Sequence, residues 1–242
     1  MILSRHLTAL AVIMTACLAL PGAALARRAL PEAAAPAQQP ALPVPPPTEP
    51  QAVARAQAEA DNAIANAEIG DLFENITDGE FPSVRHRLSG MVCDWDPGTD
   101  ILLHAFEGMP RGEDVSCGNT TLGVTFTLYA TRYPERPTAK EIVDGSIPAI
   151  RQVFTDVQAY DGAAVSMNRE GDDQPKIATA RMTARIGGRK VFTRSSAVVV
   201  GEWVIAQRVT APVSDAATAD LMAELGLITV IDKMVSGRQT AK

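Results

Sequence analysis

Beyond residue 26, three groups of residues have types and spacings that could do chemistry. They are two cysteines, two histidines with acids nearby, and four arginines on strand-like segments. Cys93 and Cys117 form an even pair, which in an oxidising compartment reads as a disulfide. Closing a loop of about 25 residues stabilises a fold by about 3.5 kcal/mol in the chain-entropy model. A reactive or metal-binding pair is the sharper alternative. The spacing is not Cys-x-x-Cys, however, and only His86 and His104 stand near in sequence.

A hydrolase needs a nucleophile, a base and a group that orients the base. The chain has no Gly-x-Ser-x-Gly, Ser-x-x-Lys or His-Glu-x-x-His motif. A histidine mechanism would therefore use His86, with Asp94 and Asp96 close in sequence, or His104 in the apolar stretch ILLHAF. A lone strand histidine is more often structural. Asp94 and Asp96 flank Trp95, an arrangement that could touch a sugar or a cation. Asp172-Asp173 lacks the alternating oxygen ligands and closing Glu of a calcium loop. Both acidic pairs read as solvated turns, so no metal and no cofactor is expected.

The arginines make the best candidate binding site. In the stretch Lys176 to Ile186, Arg181 and Arg185 share parity with Thr179 and Thr183, opposite Ala180, Met182 and Ala184. Arg194 and Arg208 on the next strands would join them if register and parity cooperate. Guanidinium grips carboxylate and phosphate bidentately, so four on one sheet face would hold an acidic partner, an envelope protein or an anionic envelope component. A solvated outer face, balanced by the excess of acids, is the bland alternative.

The elements that must position these residues follow from pattern. Arg87 to Asp94 and Ile101 to Phe106 read as strands around the Asp96-Pro97-Gly98 turn. Leu122 to Thr131 alternates, with Val124, Phe126, Leu128 and Ala130 on one face. Thr138 and Glu141 have capping-box spacing before a helix that Gly145 and Pro148 should split or kink. Four strands follow, Ala164 to Arg169, Lys176 to Ile186, Lys190 to Val200 and Trp203 to Ala211. The turns Gly187-Gly188 and Gly201-Glu202 should make the last three an antiparallel meander. A closing helix from Ala216 to Val235 should bury Leu221, Leu225, Ile228, Ile231 and Val235.

Upstream, residues 1–26 have the order of a bacterial secretory signal peptide: Arg5 and His6, an apolar run from Leu7 to Leu20, then Ala24-Leu25-Ala26. Met14-Thr15-Ala16-Cys17 offers a second reading, a lipoprotein with Cys17 lipidated. Arg27 and Arg28 sit awkwardly after a cleavage site, and an uncleaved anchor is a third reading. Residues 27–50 hold eight prolines in 24 positions, a disordered Pro/Ala-rich spacer that would reach about 75 Å if extended. Residues 51–78 read as an Ala-rich helical segment, docking through Ile64, Ile69, Leu72, Phe73 and Ile76. Residues 82–237 form the folded domain.

Removing residues 1–26 leaves 216 residues and a net charge of −7. So acidic a chain is a poor candidate for binding nucleic acid or coating an anionic membrane. Membrane association is expected only through a lipidated or anchored N-terminus. The expected fold class is α+β, an antiparallel β-sheet flanked by helices. The order of strands, helix, strands and helix over about residues 85–235 resembles the PsbP-like fold. That resemblance implies a small extracytoplasmic binding or assembly factor, and no functional residue follows from it. The expectation is a non-enzymatic periplasmic or secreted binding or accessory protein. The alternatives are a periplasmic hydrolase near His86, Asp94 and Asp96, a lipid-anchored envelope protein, and a purely structural accessory protein.

Overall fold

The computed structural model describes residues 48–167 and 175–240. The expected leader, Cys17, the prolines up to residue 47 and the Asp172-Asp173 turn lie outside the described residues. Helix α1 (Glu49–Asn66) opens with Pro50 in its first turn, where a missing N–H costs nothing. The Gln51 carboxamide accepts from the Thr48 backbone N–H and hydroxyl, both at 3.0 Å. Its buried face is a row of alanines, Ala52, Ala56, Ala60 and Ala63. The docking surface was expected to begin only at Ile64. Small side chains at helical spacing instead let the whole helix lie close against the domain. The helix stops at Asn66, Glu68 adopts φ 55°, and the chain turns into a strand at Phe73.

Two antiparallel sheets follow. The small one is β1 (Phe73–Asn75), β2 (Ser83–His86) and β3 (Val92–Asp94), paired in that order. The stretch from Arg87 to Asp94 is therefore not one strand: the chain reverses at residues 87–91, with Gly90 at φ 76°. The large sheet has seven strands: β4 (Ile101–Ala105), β5 (Asp114–Thr121), β6 (Val124–Thr131), β7 (Thr155–Ala159), β8 (Ala178–Ile186), β9 (Arg189–Val200) and β10 (Trp203–Pro212). Their spatial order is β4-β5-β6-β10-β9-β8-β7, every pair antiparallel. The hairpin β8-β9-β10 is the expected meander, with Gly187, Gly188 and Gly201 at positive φ. Strand β5 was not foreseen, because DVSCGNTT has little apolar alternation; neighbours on both sides bury five of its residues. The expected strand at Ala164 is absent over the described residues 164–167, and β7 occupies that sheet edge instead.

Helices cover both faces of the large sheet. Helix α2 (Ala139–Val153) is capped as its sequence predicts. Thr138 N–H donates to Glu141 Oε2 at 2.8 Å, and Glu141 N–H to Thr138 Oγ1 at 3.2 Å. It runs unbroken through Gly145 and Pro148, because Val143 and Ile150 anchor its two halves in the cores it forms with β8, β9 and β10. Tertiary packing overrides propensity here. Helix α3 (Ala216–Thr240) lies on the opposite face. Its buried stripe is Ala216, Ala219, Asp220, Ala223, Glu224, Leu227, Ile231 and Met234. Leu221 and Leu225, expected inside, are exposed. The main core fills the space between α3, α1, the small sheet and strands β4, β5, β6, β9 and β10. The Cys93–Cys117 disulfide fastens β3 of the small sheet to β5 of the large one.

Candidate functional site

Sheet register decides where the four arginines go. Arg194 on β9 stands opposite Arg181 on β8, and both face α3. Neither is a free surface charge. The Arg194 side chain is fully buried; its Nη1 donates to the Asp220 carbonyl at 2.7 Å and to Asp220 Oδ1 at 3.2 Å. Its Nη2 donates to Glu224 Oε2, and its Nε to Ser196 Oγ at 2.8 Å. Burial holds this guanidinium below its usual pKa, while Glu224 and Asp220 pull the other way. Arg181 Nε reaches Asp220 Oδ1 at 2.7 Å, and Arg181 Nη2 donates to the Val165 carbonyl. The same two carboxylates accept the backbone N–H groups of Val165 (2.7 Å) and Met167 (3.1 Å). Under α3, then, two arginines and two acids tie a connecting segment to the sheet.

The other two arginines lie apart from that cluster. Arg185 is exposed at the β8–β9 turn, bonding the Gly188 carbonyl at 2.8 Å and pairing with Asp156 at 3.4 Å. Arg208 stands opposite Ser195, not Arg194, which puts it on the α2 face. There its guanidinium lies 5.7 Å from the Phe154 ring centroid. The four guanidiniums thus do not share one face. Antiparallel pairing sets the parity of Arg208 against that of Arg194, and no single-strand pattern shows this.

The histidines and their acids are likewise separated. His86 is fully buried between Phe73 (ring centroids 5.1 Å apart) and Trp203 (5.6 Å, edge-on). Its Nδ1 meets Ser89 Oγ at 2.9 Å, and its Nε2 has no hydrogen-bond partner. Desolvation lowers its pKa to about 4, so it stays neutral at pH 7. Asp94 bonds Ser83 and Lys233, both at 2.5 Å, and Asp96 is exposed. The structure does not assemble a His–carboxylate pair here. His104 is exposed on β4, edge-on to Phe106 at 4.5 Å.

Two clefts remain. One, of about 680 Å³, is bordered by charged residues that include Arg85, Arg87, Asp94 and Lys233. These charges are engaged in ion pairs: Arg85 and Arg87 share Glu74, at 2.6 and 2.8 Å, and Lys233 holds Asp94. The other, of about 630 Å³, opens between α3, the β5–β6–β10 part of the sheet and the β3 strand with the loop after it. Phe126, Leu128, Trp95, Val230, Met222 and the disulfide sulfurs' residues line it. A volume of this size with mostly apolar walls is typical of small-molecule sites.

A single side chain distinguishes this second cleft. Gln207 lines it from β10, is only 4% exposed, and its Oε1 has no hydrogen-bond partner. Pairing explains why no neighbour helps. Gln207 stands between Leu128 on β6, an apolar residue, and Ser196 on β9. The Ser196 hydroxyl is already engaged by Arg194 Nε and by Thr179 Oγ1 (3.0 Å). Across the cleft α3 presents Gly226, whose missing side chain leaves the space open. A Cβ there would meet only Gln207 Nε2, at 3.9 Å. Gln207 was not singled out in the sequence. The available signal was its parity: it falls on the apolar side of β10, between Ile205 and Val209.

Among the described residues, no group of His, Cys, Asp and Glu could hold a metal ion. No described helix is long and apolar enough to cross a membrane. No protein-family profile matches the chain, and no curated sequence is similar to it. Among solved structures, a Pseudomonas aeruginosa protein of unknown function, PA94, aligns at a TM-score of 0.35. The two share 7% identity, over 60% of this chain and 93% of that one. LpqN of Mycobacterium tuberculosis, described as involved in cell envelope biogenesis, aligns at 0.27. It is 10% identical, over 67% of this chain and 76% of its own. At those scores neither likeness carries an argument about this chain.

Proposed function

We propose that this chain is an extracytoplasmic binding or accessory protein that takes a small ligand in the cleft between α3 and the sheet. One observation carries the reading: an apolar cleft of about 630 Å³ into which a single buried, unpartnered carboxamide projects. Buried polar groups in folded proteins are nearly always paired, and one without a partner in the protein, facing a roomy cleft, is free to pair with what enters it. The leader-like residues 1–26 and the Cys93–Cys117 disulfide support a location outside the cytoplasm. Helices on both faces of the large sheet, with strands, helix, strands and helix following α1, support the PsbP-like reading and its implication of a binding or assembly role. Intact mass of the exported protein decides between cleavage after Ala26, lipidation at Cys17 and an uncleaved anchor.

The test of the cleft is to fill it. Gly226→Leu places an apolar side chain across from Gln207 where open space now stands. Wild-type protein should bind small amphiphiles with 1:1 stoichiometry, read from Trp95 fluorescence in the cleft wall. Gly226→Leu should abolish that binding while its melting temperature holds. Equal binding by both proteins would exclude the cleft.

A further inference from the structure

The residues lining this cleft specify its ligand more narrowly than its size does. None of the described residues around it carries a positive charge; the only ionisable side chains are Asp94, Asp96 and Asp215. Asp94 is neutralised by Lys233 at 2.5 Å, while Asp96 and Asp215 are exposed at the mouth. A carboxylate or phosphate entering here would lose its hydration, gain no counter-charge and face two acids. Two buried carboxamides line the interior, Asn119 and Gln207; Gln207 carries the fully buried oxygen without a partner in the protein, and its amide supplies an acceptor and two donors. Its nearest wall residues on the sheet, Leu128 and Cys117, are paired in register with it across β6 and β5. An apolar floor therefore runs straight up to the amide. Exposed Phe81, Leu122 and Met222 extend the apolar surface to the rim.

We infer that, given the cleft reading above, its ligand is an uncharged amphiphile. Its hydrocarbon body lies against the β5–β6 floor, and one hydroxyl or amide head pairs with Gln207. The head group supplies the hydrogen bond that no protein group makes to Gln207 Oε1. An anionic head is selected against because no described lining residue is a cation, the nearby Lys233 is already held by Asp94, and Asp96 and Asp215 stand at the mouth. Selection here works by penalising the wrong charge as much as by rewarding the right contact.

The experiment compares decanol with decanoate, which share a chain and differ in head-group charge, by titration calorimetry on the exported chain with its disulfide intact. Decanol should bind with 1:1 stoichiometry, at least about 10-fold tighter than decanoate at pH 7.5. Gln207→Leu should weaken decanol about 10-fold, the usual consequence of losing one hydrogen bond in a dry site. Decanoate binding as tightly as decanol, or decanol binding unchanged in Gln207→Leu, overturns the ligand class and leaves the cleft reading standing. Failure of both compounds to bind overturns the cleft reading itself. The decanol–decanoate comparison needs no variant, so a folding defect in Gln207→Leu does not blunt the test.

Discussion

Arg194 and Gln207 lie under the same helix, on adjacent strands of the same sheet face, and are almost equally hidden from water. Every Arg194 nitrogen has a partner in Asp220, Glu224 or Ser196. The Gln207 oxygen has none. The contrast separates two uses of buried polarity. A closed network, with charges and donors matched, fixes how elements sit on one another. An open valence beside a cleft fixes nothing within the chain, and on the reading proposed above it is where a ligand pairs. His86 is an intermediate case: its Nε2 is also unpartnered, yet it is enclosed by Phe73 and Trp203.

The comparison can be broken most forcefully at the closed network. Arg194→Met should destabilise the protein by about 3–5 kcal/mol, because Glu224 would be left buried without its counter-charge and Asp220 with Arg181 alone. Urea denaturation measures this, and a loss under about 1 kcal/mol would show that the network is not holding α3. Replacing both Cys93 and Cys117 by Ala should cost about 3.5 kcal/mol and loosen the cleft wall. Unchanged melting of the double variant would mean that the small sheet is held by packing alone.

The histidine sharpens the intermediate case through pH. Folded His86 titrates near 4 rather than 6.5, so between those values the unfolded chain binds a proton that the folded one refuses. Stability is therefore full above about pH 6.5 and falls on acidification, by up to about 3 kcal/mol near pH 4. His86→Phe should flatten that part of the pH profile; a profile identical to wild type would assign the acid sensitivity elsewhere. The smallest effect belongs to the open valence. Gln207→Leu should change stability by no more than about 1 kcal/mol, in either direction, since no bond is lost and an unpaired oxygen is removed. A loss of 3 kcal/mol or more would place Gln207 in the closed class.

Much of the fold could be read from local chemistry. Gly187-Gly188 and Gly201-Glu202 announce the β8-β9-β10 meander, and Thr138 with Glu141 announces the start of α2. What escaped depends on partners distant in sequence. Strand β5 carries Ser116, Gly118 and Asn119 and looks like a loop until β4 and β6 close over it. The arginine face failed because parity within one strand says nothing of the next strand's register. Arg208 lands opposite Ser195 and so on the far side. The cleft was illegible for the same reason: Gln207 stands out only once Leu128, Ser196 and Gly226 are known to be its neighbours.

Helix α3 carries two rival stripes, one of Leu221, Leu225 and Ile228, the other interrupted by Asp220 and Glu224. Greasiness alone would roll the helix toward the first. The two acids act as a detent: they let α3 rest only at the angle where they meet Arg194, leaving Leu221 and Leu225 outside. That angle also turns Gly226 toward Gln207. The charges that never touch the cleft thereby set its width, and swapping them for hydrocarbon would free the helix to turn and close it.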